Sequence, residues 1–156
     1  MHKYLKLLWA IILCEAAGAI GSIFTISAVS SWYITLEKPF FNPPGWVFGP
    51  VWTMLYLFMG ISLYLVWVSK KKKERSIGIM FFYIQLVLNA AWSIIFFGFK
   101  SPAFAFVEIV LLWVMIGLTI KSFLKINKSA AYLLYPYLVW VSFAAILNFS
   151  IMMLNS

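Results

Sequence analysis

Three spacings in this 156-residue chain place aromatic and amide side chains where they could line an apolar pocket. Trp52 and Tyr56 lie four apart, and Gln85, Asn89 and Trp92 follow at i, i+4 and i+7, so each set occupies one helical face. Trp140, Ala144 and Asn148 recur every four residues along a third face. Aromatic rings would make the pocket's apolar walls, and a few amide groups would orient a ligand's polar substituents. The same amides could instead bond between helices, each worth about 1 kcal/mol in a membrane. Other chemistry finds little support. The chain has no Asp, its one histidine is His2, and Cys14 stands alone, so neither a disulfide within the chain nor a cysteine-based metal site is expected. No nucleophile has an evident base. Common axial haem ligands are missing from the faces above, leaving tyrosine as the lesser alternative for iron. No resident cofactor or metal is expected.

The elements that position these residues are apolar helices. With 65% hydrophobic and 10% charged residues, the chain is expected to be an integral membrane protein of one domain. A spanning helix needs about 20 apolar residues, and five such runs are present, near 5–29, 47–69, 77–99, 103–124 and 130–154. The predicted class is all-α, a bundle of neighbouring up-and-down helices with short connections. A net charge of +8 could suggest nucleic acid, but the positions of the charges point to topology. Ten cations fall in the N-terminal tail, around 70–75 and around 121–128, against Lys38 and Lys100 on the opposite side. The positive-inside rule then puts the N-terminus in the cytoplasm and the 30–46 loop on the far side of the membrane. Lys70 to Lys73 could also attract anionic lipid.

That loop and the helix start after it, Trp32 to Tyr56, hold four of the six prolines and three of the eight tryptophans. Proline removes a helical donor and pushes the preceding residue toward extended structure, so Pro39, Pro43 and Pro44 force an ordered turn. Pro50 suits the first turn of the next helix. Trp32, Tyr33, Phe40, Phe41 and Trp46 make the loop too aromatic for a solvated linker, and it reads as a lid over the helices. An interfacial aromatic belt is the plainer alternative for any one of these rings.

Within the spans, Glu15 is expected to face the bundle or be protonated, because an ionised carboxylate at that depth costs roughly 2.5 to 3.5 kcal/mol. It reads either as a site acid or as a carboxyl bonded to a neighbouring helix. Ala17, Gly18, Gly21 and Ser22 permit close approach of another helix, inside the bundle or between subunits. Glu108 sits near the lid-side end of a fourth helix otherwise expected to be structural. Pro136 should cap or kink the start of the fifth. Lys3 and Lys6 before an apolar run resemble a signal peptide, but the run continues far enough to favour a retained first helix.

The stretch WYxxLxKPxFNPPGWVFGPVWTxLY, followed by QLxLNAAWSIIFFG and LLYPYLVWVSFAAILN, resembles the tryptophan-rich sensory protein or translocator protein family (TspO/MBR), which includes the peripheral-type benzodiazepine receptors. The resemblance spans all five helices. It implies a five-helix bundle, often dimeric, with a pocket beneath the first long loop that takes porphyrins and other tetrapyrroles, sterols, isoquinoline carboxamides or benzodiazepines. Carried over by position, that pocket comprises Trp32, Tyr33, Trp52, Tyr56, Asn89, Trp92, Trp140 and Ala144. The sterol-recognition pattern of animal members is missing from the ending NFSIMMLNS, which favours a bacterial-type, tetrapyrrole-oriented reading and a bacterial cytoplasmic membrane as the expected location. Near Gly78, Phe82 stands where a second small residue would support a dimer face. The expected function is a membrane receptor or binding protein for a porphyrin. The alternatives are a light-dependent porphyrin-degrading enzyme, with Trp52 and Trp140 as redox partners, and a transporter of tetrapyrroles or sterol-like lipids.

Overall fold

Five long apolar helices account for nearly the whole chain in a computed structural model, which describes residues 2–156. Helix α1 runs Lys3–Val29, α2 Phe48–Trp67, α3 Lys72–Ser93 and α4 Pro102–Leu124. The fifth span is made of two pieces, α5 Lys128–Tyr132 and α6 Tyr135–Leu154. The break falls just before Pro136, which has no N–H to offer the turn behind it. Leu134 bonds back to Ala131 at 3.0 Å, and the regular ladder resumes when Leu138 bonds to Leu134 at 3.0 Å. The expected kink is therefore a short interruption between helices.

Each boundary has a local cause. The side chains of Ser101 and Asn127 accept from the N–H groups of Phe104 and Ala130, closing the first turns of α4 and α5. Helix α3 begins five residues before the apolar run that announces it, because Lys72 to Ser76 continue the helix beyond the apolar stretch. At its other end, Ile94–Gly98 form a π-helical turn.

Chain order is not the packing order throughout. Helix α1 lies against both α2 and α3, while α4 lies against α3 and α6. Aromatic contacts from α2 to α6 close the ring of helices. Lipid tails are as apolar as the side chains, so cohesion comes from close packing and internal hydrogen bonds. Small residues set the approach. A Cβ on Gly60 would lie 2.6 Å from the Ile11 backbone, and one on Gly21 would meet Ser93 at 3.1 Å. Gly18 faces the ring of Tyr56. Ser22 of the small-residue face of α1 is exposed, while Ala17, Gly18 and Gly21 thus pack within the bundle. Gly78 does likewise, against Phe123 and Ile126 of the same chain.

The basic connections gather at one end of the bundle. Lys71 Nζ donates to Lys125 O at 2.9 Å, Arg75 to the carbonyls of Trp67 and Ser69, and Lys6 lies 5.6 Å from the centre of the Trp67 ring. The 30–46 loop crosses the other end.

Candidate functional site

The loop is closed down on the helix ends by rings. Trp32 meets Phe96 edge-on at 5.7 Å, Tyr33 lies 5.8 Å from Phe97, and Phe41 reaches Phe143 at 6.2 Å. These contacts belong to one buried cluster of loop, α3, α4 and α6 residues built on Phe96, Ala105, Leu147 and Ile151. Polar bonds fix the loop's shape. The Tyr33 hydroxyl donates to Asn42 Oδ1 at 3.1 Å, and Lys38 Nζ sits 4.8 Å over the Tyr33 ring while donating to Leu36 O at 3.0 Å. Burial pushes the Tyr33 phenol above its ordinary pKa. Asn155, at the end of α6, accepts from the Glu37 N–H at 3.0 Å and donates to the Glu37 carbonyl at 2.9 Å. Phe40 and Trp46 point away, 100% and 76% exposed.

Under the loop lies an aromatic box. Trp52 stacks on Tyr56 at 5.6 Å and meets Tyr137 and Trp140 edge-on at 6.3 and 6.5 Å. Trp140 in turn touches Phe48 at 6.0 Å and Phe143 at 5.5 Å. The Trp140 Nε1–H is buried there without an acceptor. An N–H buried without a partner carries a desolvation cost of about 1–3 kcal/mol, so it is a place where an incoming acceptor gains a bond.

Below the box the polar groups are spent on one another. Tyr56 donates its hydroxyl to Asn89 Oδ1, Asn89 Nδ2 donates to the Tyr137 hydroxyl at 2.8 Å, and Tyr137 donates to Gln85 Oε1 at 2.7 Å. Nearer the loop, Trp92 Nε1 donates to Asn148 Oδ1 at 2.9 Å, and Asn148 Nδ2 to Pro102 O at 2.8 Å. These bonds tie α2, α3, α4 and α6 together, the use of intramembrane amides weighed from sequence. Glu108, near the loop-side end of α4, is 7% exposed with neither carboxyl oxygen bonded among the described residues. Glu15 is half-buried.

The residues singled out from sequence therefore fall into groups. Trp52, Tyr56 and Trp140 meet in the box; Trp32, Tyr33 and Trp92 converge on Phe96; Asn89 lies in the hydrogen-bonded core. Ala144 is half-buried, one turn beyond Trp140, and packs on the main core. Sequence reasoning missed Tyr137 as a site residue, although it stands three before Trp140 and extends the stripe through Ala144 and Asn148. It missed Phe48, Phe96 and Phe143 as well, since the chain's 15 phenylalanines give no signal separating those under the loop from those facing lipid. Among the described residues no cluster of His, Cys, Asp and Glu is arranged to hold a metal.

Five spans, an ordered aromatic cap and an internal polar core define a polytopic α-helical membrane protein. Comparison with known proteins gives the family: a TspO/MBR family profile matches residues 10–154. The chain is 50% identical to the tryptophan-rich protein TspO of Chlorobaculum tepidum over 154 residues, covering 98% of each. It is 44% identical to the tryptophan-rich protein TspO of Archaeoglobus fulgidus, covering 97% of this chain and 98% of the relative. It is 37% identical to the translocator protein of Ovis aries, over 85% of this chain and 79% of the relative. The chain belongs to the TspO/MBR family.

Proposed function

We propose that the protein is a membrane receptor for planar hydrophobic molecules of the tetrapyrrole class, held beneath the 30–46 loop. The observation that carries this reading is the Trp140 indole N–H, buried and unbonded among the rings of Phe48, Trp52 and Phe143. Rings would cover the ligand's faces, and this donor would meet a carbonyl or carboxylate at its edge. Trp32, Tyr33 and Trp92 would form the loop-side wall, and Tyr56, Ala144 and Asn89 the deeper one, with Asn89 offering its bonds to the ligand only by giving up those to Tyr56 and Tyr137. The basic end of the bundle would lie in the cytoplasm and the loop outside. A homodimer is compatible with this arrangement.

Titration of the purified protein with protoporphyrin IX in the dark, followed by tryptophan quenching, tests the reading. Saturable binding weakened about tenfold in Trp140→Phe, which keeps a ring and removes the donor, is expected; a tenfold loss corresponds to about 1.4 kcal/mol. Saturable binding unchanged in Trp140→Phe and Trp52→Phe would place the ligand elsewhere. The 6.5 Å edge contact of Trp52 with Trp140 favours one second reading, light-driven porphyrin breakdown. Product accumulating over many turnovers under illumination would support it, and damage limited to one event per protein would not.

A further inference from the structure

On the outer side of α1, away from the aromatic box, a groove of about 460 Å³ opens between the last turns of α1 and the end of α3. Its lining is divided by depth. Ile23, Phe24 and Phe97 form the part nearer the middle of the bundle, while Ser27, Ser31 and Lys100 stand at the rim by the helix ends. Gly98 makes the floor possible, since a Cβ there would lie 2.9 Å from Phe24 Cδ1.

The rim is prepared for an anion. The carbonyls ending α1 would repel one, but two of them already accept bonds: Ser31 Oγ donates to Ser27 O at 2.7 Å, and the Ser30 and Ser31 N–H groups donate to Ala28 O. Two lysines lie at this end of the bundle. Lys38 is engaged by Leu36 O and the Tyr33 ring, whereas exposed Lys100 has neither kind of partner among the described residues. Lys100 also holds a φ of 55°, a left-handed backbone that favours glycine. A lysine at that position gives up backbone stability and places a cation on the groove's rim.

From this cavity and its charge we infer that the groove seats an anionic phospholipid, one acyl chain along Ile23, Phe24 and Phe97 and its phosphate against Lys100 and Ser27. Charge selects the occupant, because Ile23 is 68% exposed and the groove is open to the bilayer, where every lipid offers a chain and only some carry net negative charge. The site is separate from the aromatic box and independent of what that box holds.

The test is native mass spectrometry of the full chain in detergent with equimolar dioleoylphosphatidylglycerol and dioleoylphosphatidylcholine. The wild type is expected to retain phosphatidylglycerol preferentially. Lys100→Arg should keep that preference and Lys100→Gly should reduce it about fivefold, the worth of one basic residue at a membrane surface. Lys100→Gly should at the same time melt higher, because glycine suits the left-handed backbone, which separates loss of lipid from loss of fold. The Lys70 to Lys73 cluster is unchanged in all three proteins, so its lipids form a constant background. A Lys100→Gly protein with the wild-type lipid ratio would overturn the inference, as would equal retention of the two lipids by the wild type.

Discussion

Asn155 grips Glu37 by both main-chain groups, accepting from its N–H at 3.0 Å and donating to its carbonyl at 2.9 Å. One amide near the chain's last residue thereby does for the middle of the loop what a neighbouring strand would do. A further bond from Asn155 Nδ2 to Ile151 O, at 2.8 Å, holds the amide in place. The loop is consequently tied to α6, the helix that also carries Trp140.

Asn155→Ala should loosen the loop without unfolding the helices. Each lost bond is worth about 0.5–1.5 kcal/mol, so amide exchange around residues 36–38 is expected to quicken by roughly one order of magnitude or more. Hydrogen-exchange mass spectrometry checks this. Unchanged exchange in that peptide would show that the rings alone hold the loop down.

Alkali should release the same loop from its other end. Tyr33 lies outside the spans, and its burial raises the phenol's pKa above 10.0. Because the folded value is raised, the stabilisation from the neutral phenol is complete below its unfolded value and is lost as pH climbs through the folded one. Exchange in the loop, corrected for the intrinsic pH dependence of amide exchange, should accelerate above pH 10 in the wild type. Tyr33→Phe should show no such step.

Two glycines of similar sequence context should behave oppositely. Gly60→Ala sets a Cβ 2.6 Å from the Ile11 backbone, whereas nothing lies within 4 Å of a Cβ on Gly117. The first change should cost about 1–3 kcal/mol through overpacking. The second should leave stability equal or slightly raised, since alanine is the better helix former. Thermal denaturation in detergent distinguishes them, and equal melting temperatures would contradict the α1–α2 approach described above.

Glu108→Leu should raise the melting temperature. Both carboxyl oxygens are buried without a bond, and an unsatisfied polar group costs about 1–3 kcal/mol that an apolar side chain of similar size avoids. Glu108→Gln, which keeps the polarity, should gain less. A destabilised Glu108→Leu protein would mean that the carboxyl meets a partner, such as an internal water.

The five spans were legible because their apolar length is set by the bilayer, and Pro136 announced the break before α6. The lid was legible in its prolines, which no continuous helix could hold. Packing partners were not. The spacing of Gly18 and Gly21 shows that something approaches α1 closely, but not that it is Tyr56 and Ser93. Hydrogen-bond direction was equally hidden: Asn89 could be read as addressing a ligand or a helix, and only the placement of Tyr56 and Tyr137 shows both its groups occupied. Nor does any residue of IIFFG advertise a π turn.

That wide turn makes Ile94–Gly98 a segment whose length matters more than its composition. A π turn holds one residue more than an α-helical turn would, so it fits one extra residue between Ser93 and the point where the chain leaves the helix. Phe96 and Phe97 then both underlie the loop, and Lys100 comes to the rim of the α1 groove. Deleting a single residue here should displace Phe96 or Phe97 from the loop and Lys100 from the groove together. Substitution at this stretch is a matter of fit; insertion or deletion is a matter of register, and it would be felt at two surfaces that share no side chain but Phe97.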